Sequence, residues 1–186
     1  MMDCKRALVE ANGDIERAKE ILREQGLALM TQQEERPVRE GRVEVYGHHT
    51  GKVGVMVEIA CNTDFAAKSA EFLQFSRDVA LHIAAEAPEY ISPEDIPADA
   101  LNAEITEFRK QLEEQGKPAE IIEKAIGGRV KRYQQDKCLL KQAFVKDPEV
   151  TIEDLLADLR TKTGENIFVR RFVRYAIEDT GCLASS

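Results

Sequence analysis

The sequence predicts an α+β fold: a three-stranded antiparallel sheet covered by helices, with an antiparallel helical hairpin and a small helical piece at the N-terminus. Three observations predict it. Two runs of β-branched apolar residues, Val43 and Val45 in one and Val53, Val55, Val57 and Ile59 in the other, flank the turn Thr50-Gly51-Lys52, and a third run closes the chain at 167–177. Between the second and third runs, apolar residues recur every three or four positions, the period of an amphipathic helix. Residues 32–41 are polar and contain Pro37 and Gly41, which reads as a linker between an N-terminal piece and the rest.

Taken in order, residues 1–11 carry Ala7, Leu8 and Ala11 at helical spacing, and Asn12-Gly13 break the pattern. Asp14 can cap a second helix over about 15–25, with Ile15, Ala18, Ile21 and Leu22 on one face. A first strand is expected over Arg42 to His49 and a second over Val53 to Cys61. The second is almost wholly apolar, which places it at the centre of the sheet. Asn62-Thr63-Asp64 then opens one long helix in which Phe65, Phe72, Val79 and Ile83 share a face, and Pro88 lies beyond its end. Ser92-Pro93-Glu94-Asp95 is a cap-like start with proline at the first helical position. After Pro97, Leu101, Ile105, Phe108 and Leu112 mark a helix; Gly116-Lys117-Pro118 turns the chain, and Ile122, Ile126, Val130 and Tyr133 mark the return. Gly127-Gly128 is the weak point of this hairpin, at about 1 kcal/mol per glycine against alanine. Thr151 can cap a helix from about Ile152 to Lys162, Gly164-Glu165-Asn166 turns into the last strand, and Thr180 to Ser186 is expected to fray.

Composition narrows the function. The chain has 186 residues, enough for one domain and an appendage, with 26 Lys and Arg against 34 Asp and Glu. The net charge of −8 argues against a protein whose main work is non-specific nucleic-acid binding, because neutralising phosphates needs a basic excess. With a mean hydropathy of −0.38 and no long apolar run, no segment reads as membrane-spanning. Cys4, Cys61, Cys138 and Cys182 are scattered, without the close spacing of a zinc site or a disulfide framework, and free thiols suit a reducing, cytoplasmic setting.

Few residues invite chemistry. Gly47-His48-His49-Thr50-Gly51-Lys52 has the wrong spacing for a phosphate loop, puts valine where Ser or Thr must follow the lysine, and joins two strands. His48 and His49 are neighbours on an expected strand and so point to opposite faces, which speaks against a metal site with Cys61 and Asp64. With His82 in mid-helix and no nucleophile motif, no catalytic residue, metal site or cofactor is expected. Arg170, Arg171 and Arg174 alternate with Phe168, Phe172 and Tyr175, a pattern compatible with RNA binding or with an edge strand of solvated or salt-bridged arginines. The unusual feature is Thr63-Asp64-Phe65-Ala66, where a carboxylate and an aromatic meet at a helix N-terminus; the bland reading is a capped helix with Phe65 in the core.

Three segments carry a resemblance. Met1-Met2-Asp3-Cys4-Lys5-Arg6-Ala7-Leu8 with Asn12-Gly13-Asp14, then Val53-Gly54-Val55-Met56-Val57-Glu58-Ile59-Ala60-Cys61-Asn62-Thr63-Asp64-Phe65, then Gly164-Glu165-Asn166-Ile167-Phe168-Val169-Arg170-Arg171-Phe172, resemble in order the signatures of the bacterial elongation factor Ts family, over about residues 1–179. The resemblance implies a guanine-nucleotide exchange factor, not an enzyme, whose partner is elongation factor Tu. It implies that the turn Thr63, Asp64, Phe65, Ala66 enters the partner's GTPase domain near its nucleotide-bound magnesium, with Phe65 as the wedge. It implies a ubiquitin-associated-type helical domain over 1–33, contacting the partner through Met1 and Met2. A linker over 34–41 and a core over 42–179 would follow, with the hairpin at about 97–142 and a tail over 180–186. Short members with one core module pair as homodimers through that core, and neither nucleic acid nor membrane is an implied direct partner.

Against the family pattern, the helix and Thr-Gly-Ala-Gly turn before the double methionine do not precede Met1 in this sequence: either its first residue is an internal one or the chain lacks a third of that domain, and without that helix 1–33 is expected to be marginally folded. Ala66 stands where valine is frequent, removing methyl groups worth about 1 kcal/mol if buried. Two readings compete with exchange: an RNA- or ribosome-associated protein using the arginine strand, and an adaptor binding only through its N-terminal helices.

Overall fold

The computed structural model describes residues 2–15, 17, 18, 21 and 38–177. Helix α1 spans Met2–Glu10 and stops at a left-handed turn, Asn12 at φ 51° and Gly13 at φ 87°. The Asp14 carboxylate then accepts from the Arg17 amide at 3.1 Å, the cap expected of it, and Ile15, Arg17, Ala18 and Ile21 are helical. Ala7, Ala11 and Ala18 form a small cluster with Ile21, while Leu8, Val9 and Ile15 stay exposed. Leu22, most of the expected linker and the tail lie outside the described residues.

The main sheet has the order β1-β2-β5, all antiparallel: β1 is Glu40–Gly47, β2 Val53–Cys61 and β5 Phe168–Ala176. The apolar β2 is indeed central. β1 begins two residues earlier than the reading of 42–49 and ends two residues earlier, so Glu40 and Gly41, assigned to the linker, belong to the strand. Gly41 pairs with Ala60 at φ 147°, and a Cβ there would stand 2.3 Å from the Ile59 carbonyl oxygen, so only glycine fits.

The sheet's two faces differ. Val55, Val57, Ile59 and Cys61 point inward, where Phe72, Phe75, Val79 and Ile83 of one helix and Leu156 and Leu159 of another close the core. The outer face carries Val43, Val45, Met56, Val173 and Tyr175, all exposed. Val45, Met56 and Val173 are register partners in one row across the three strands.

The expected long helix after β2 is two helices. Helix α2 covers Asp64–Ala67 and α3 covers Ala70–Glu86. The Ser69 hydroxyl donates to the Ala66 carbonyl at 2.9 Å and accepts from the Phe72 amide at 3.2 Å, so it ends one helix and caps the next. The break removes Phe65 from the face that buries Phe72, Val79 and Ile83.

Ser92 heads a short 3-10 turn, Pro93–Asp95, with the Asp95 carboxylate closing a capping box. Helices α4 (Ala98–Glu114) and α5 (Ala119–Lys137) form the expected hairpin. A two-stranded ribbon that the sequence reading missed follows, β3 (Ala143–Phe144) with β4 (Asp147–Thr151). Thr151 caps α6 (Ile152–Thr163) in a capping box with Asp154, and Gly164 ends it at φ 67°. No helix among the described residues is long and apolar enough to cross a membrane.

Candidate functional site

The site is built at the exit of the central strand. Of the three residues able to cap there, Thr63 does so: its side chain accepts from the Ala66 amide at 3.3 Å. The four residues singled out from sequence then divide by role. Ala66 is only 4% exposed and with Ala67 packs into the main core, which anchors the turn from below. Asp64 faces solvent in an ion pair with Lys68, 2.7 Å away; that hydrogen bond holds its carboxyl below the usual range and raises the lysine. Phe65 is 84% exposed, so of the two readings weighed for it, a core residue or a side chain presented by the turn, the core one is excluded. The reason is the Ser69 break described above, which sets the phenylalanine's helical turn apart from α3.

A second segment braces this turn. The Thr63 amide donates to Glu165 Oε2 at 3.0 Å and its hydroxyl to Glu165 Oε1 at 2.5 Å. The Asn166 amide in turn donates to Asn62 Oδ1 at 2.8 Å. Sequence reasoning gave Glu165 and Asn166 only a turn; the available signal was that they open the third signature segment. Beneath the turn, the Cys61 thiol donates to the Thr63 carbonyl at 3.1 Å. Burial first, and the Glu165 charge second, push that thiol up to about 11, so it stays protonated and inert.

The other candidates are committed elsewhere. Arg170 and Arg171 both bind Glu58, at 2.8 and 2.7 Å, because a bulge opposite Glu58 and Ile59 sets an extra residue into β5. These pairs, led by the Arg171 hydrogen bond, hold the Glu58 carboxyl below its usual range. Arg174 Nε donates to the Ala84 carbonyl at 3.3 Å. Thus β5 is an edge strand with paired arginines, one of the two arrangements weighed for it. His48 and His49 lie beyond the end of β1 rather than on it, so their rings do not point to opposite faces but sit 4.2 Å apart, inclined at 54°, and His48 shares a hydrogen bond with Tyr46. Among the described residues no three His, Cys, Asp or Glu groups converge as metal ligands. Met1 lies outside the described residues; Met2 opens α1.

Comparison with known proteins agrees with the signature segments. The profile of the family described as Elongation factor TS matches residues 15–179. Elongation factor Ts of Carboxydothermus hydrogenoformans is 50% identical over 177 residues, 95% of this chain and 82% of that protein. The same-named proteins of Caldanaerobacter subterraneus subsp. tengcongensis and Fervidobacterium nodosum are 47% and 48% identical, covering 94% and 95% of this chain. A family profile spanning most of the chain, and relatives aligned along nearly all of it, meet at one conclusion: the chain belongs to the elongation factor Ts family.

Proposed function

We propose that the chain promotes GDP release from elongation factor Tu during translation elongation, by inserting the turn Thr63–Ala66 beside the partner's magnesium site. The observation that carries this reading is Phe65, an 84% exposed aromatic on a capped turn whose next two residues are buried. A large apolar ring held in water on a braced backbone is pre-organised to enter another protein. Magnesium bridges nucleotide phosphates and protein ligands, so displacing its surroundings weakens nucleotide binding. Factor and nucleotide then oppose each other, and the coupling is reciprocal. The protein is not an enzyme in this reading, since no bond of a substrate is made or broken. A thousandfold acceleration requires about 4 kcal/mol of relative transition-state stabilisation.

The remaining assignments belong to the same reading. Residues 1–33 form a ubiquitin-associated-like unit that docks on the GTPase domain through Met1 and Met2. Residues 34–39 link it to a core that begins with β1 at Glu40. The factor works in the cytoplasm, and two copies pair through the core. Support for pairing is the bare outer face of the sheet, where Val45, Met56 and Val173 align.

The test is stopped-flow release of fluorescent GDP from elongation factor Tu in excess unlabelled GDP. Saturable acceleration is expected, and Phe65→Ala should abolish it. Because Phe65 touches solvent, the variant's folding stability should stay within about 0.5 kcal/mol of the parent. A Phe65→Ala protein that still accelerates release would remove the wedge from the mechanism.

A further inference from the structure

We propose that Glu165 is the positioning residue of the exchange turn, acting through Thr63; the assignment rests on the exchange function proposed above. Phe65 is 84% exposed, so packing of its own ring does little to aim it. Its direction is set by the backbone of α2, and that backbone is set by the Thr63 cap and the buried Ala66 and Ala67.

Glu165 controls the cap. The Thr63 hydroxyl has one proton, and it is donated to Glu165 Oε1. A hydroxyl rotor fixed in that way turns its lone pairs toward the Ala66 amide, 3.3 Å away. The second carboxylate oxygen takes the Thr63 backbone amide, which fixes the residue before the helix as well. Carboxylate acceptors make stronger hydrogen bonds than neutral ones, so this is the firmest tie available to an exposed turn.

The tie is reciprocal. Asn62 Oδ1 accepts from the Asn166 amide, and this fixes which way the Asn62 amide faces. Its Nδ2 is left buried without a partner among the described residues. Two consecutive residues after β2 are thus cross-braced to two consecutive residues before β5, more than 100 positions later in the chain. Gly164 makes this possible: its left-handed conformation at φ 67° ends α6 and leads the chain directly into Glu165. The third signature segment therefore supports the second.

A residue that only staples the core would change folding stability and leave a fully bound factor as fast as before. A positioning residue changes the maximal rate at saturation. The experiment compares wild type, Phe65→Ala, Glu165→Gln, Glu165→Ala, Thr63→Val and the double variant Thr63→Val/Glu165→Gln in the nucleotide-release assay, each with a thermal melt. Glu165→Gln should lower the saturating rate by about tenfold, with half-saturation moving less than about threefold. In the Thr63→Val background the same change should have little further effect, the signature of one shared interaction. A folded Glu165→Ala that keeps the wild-type maximal rate, or fully additive effects of Thr63→Val and Glu165→Gln, would overturn the proposal.

Amide hydrogen exchange supplies a readout that needs no partner. Glu165→Gln should expose the Thr63 and Ala66 amides to exchange while Val57 and Val79 keep their protection. Unchanged exchange at Ala66 overturns the tie whatever the kinetics. If wild type does not speed release, the exchange reading itself fails, and if Phe65→Ala matches an accelerating wild type, the wedge leaves the mechanism; in either case Glu165 loses its assignment to an exchange turn, and the brace on Thr63 is then decided by hydrogen exchange alone.

Discussion

At the scale of single residues, His82 is the clearest case of a group whose environment fixes its chemistry. It is fully buried in α3, with Nε2 3.0 Å from Gln142 Oε1 and Nδ1 accepting from the Val145 amide at 3.3 Å. These two partners define the neutral ring with its proton on Nε2. Burial is the main cause that lowers its pKa below the ordinary 6.5, opposed by the Gln142 hydrogen bond and the Glu86 charge. Above that value folded and unfolded chains both hold a neutral ring, and His82 adds no pH dependence. Below it the unfolded chain takes up a proton that the folded one refuses, so stability falls as pH drops from 6.5 toward the lowered folded value. Urea titrations should find His82→Gln less stable than the parent near neutral pH by about 1–3 kcal/mol, through lost buried hydrogen bonds. The same variant should lose less stability than the parent on acidification; an equal loss would show that the acid sensitivity arises elsewhere.

At the scale of elements, the α4–α5 hairpin is held by few buried groups. Ile122 and Ile126 are its buried residues, whereas α4 buries none fully. Arg109–Glu123 and Arg129–Glu104 pairs at 2.5 Å and Arg129 over the Phe108 ring at 5.4 Å complete the seam. Such exposed pairs contribute at most about 1 kcal/mol each. Gly127 and Gly128 weaken α5, and a Cβ at either meets nothing within 4 Å. Each Gly→Ala change should therefore stabilise the hairpin by about 1 kcal/mol, read as slower amide exchange across α5 and a raised melting temperature. A destabilised alanine variant would contradict the open surroundings of these glycines. The β3–β4 ribbon is the opposite case. Its strand β3 is two residues long and β4 contains Pro148, so no periodic signal announces it. It exists because distant groups hold its turn, Val145 through His82 and Lys146 through Asp78 at 2.6 Å.

At the scale of the whole molecule, among the described residues, the sheet has one face covered by helices and one whose apolar side chains are exposed. An apolar row of Val45, Met56 and Val173 with Tyr175 beside it is a surface that a second copy would cover. Sedimentation should report a homodimer, and Val45→Glu should give a monomer of unchanged secondary structure; a parent that stays monomeric at working concentration rejects the pairing. The sequence by itself determined the order of the three sheet strands, the helical hairpin and the last helix, the central place of β2, the caps at Asp14, Ser92 and Thr151, and the three family segments. Each of these is written in a window of a few residues, as a period, a cap or a turn. The tertiary structure alone decided that Phe65 leaves the core, that Glu58 gathers two arginines across a bulge, that the outer face of an apolar sheet is bare, and that Glu165 braces Thr63. The first of these turned on one serine hydroxyl competing with helical hydrogen bonds. The others depend on strands and loops far apart in the chain, and no local pattern records which residues the closing of the sheet will bring within hydrogen-bonding distance.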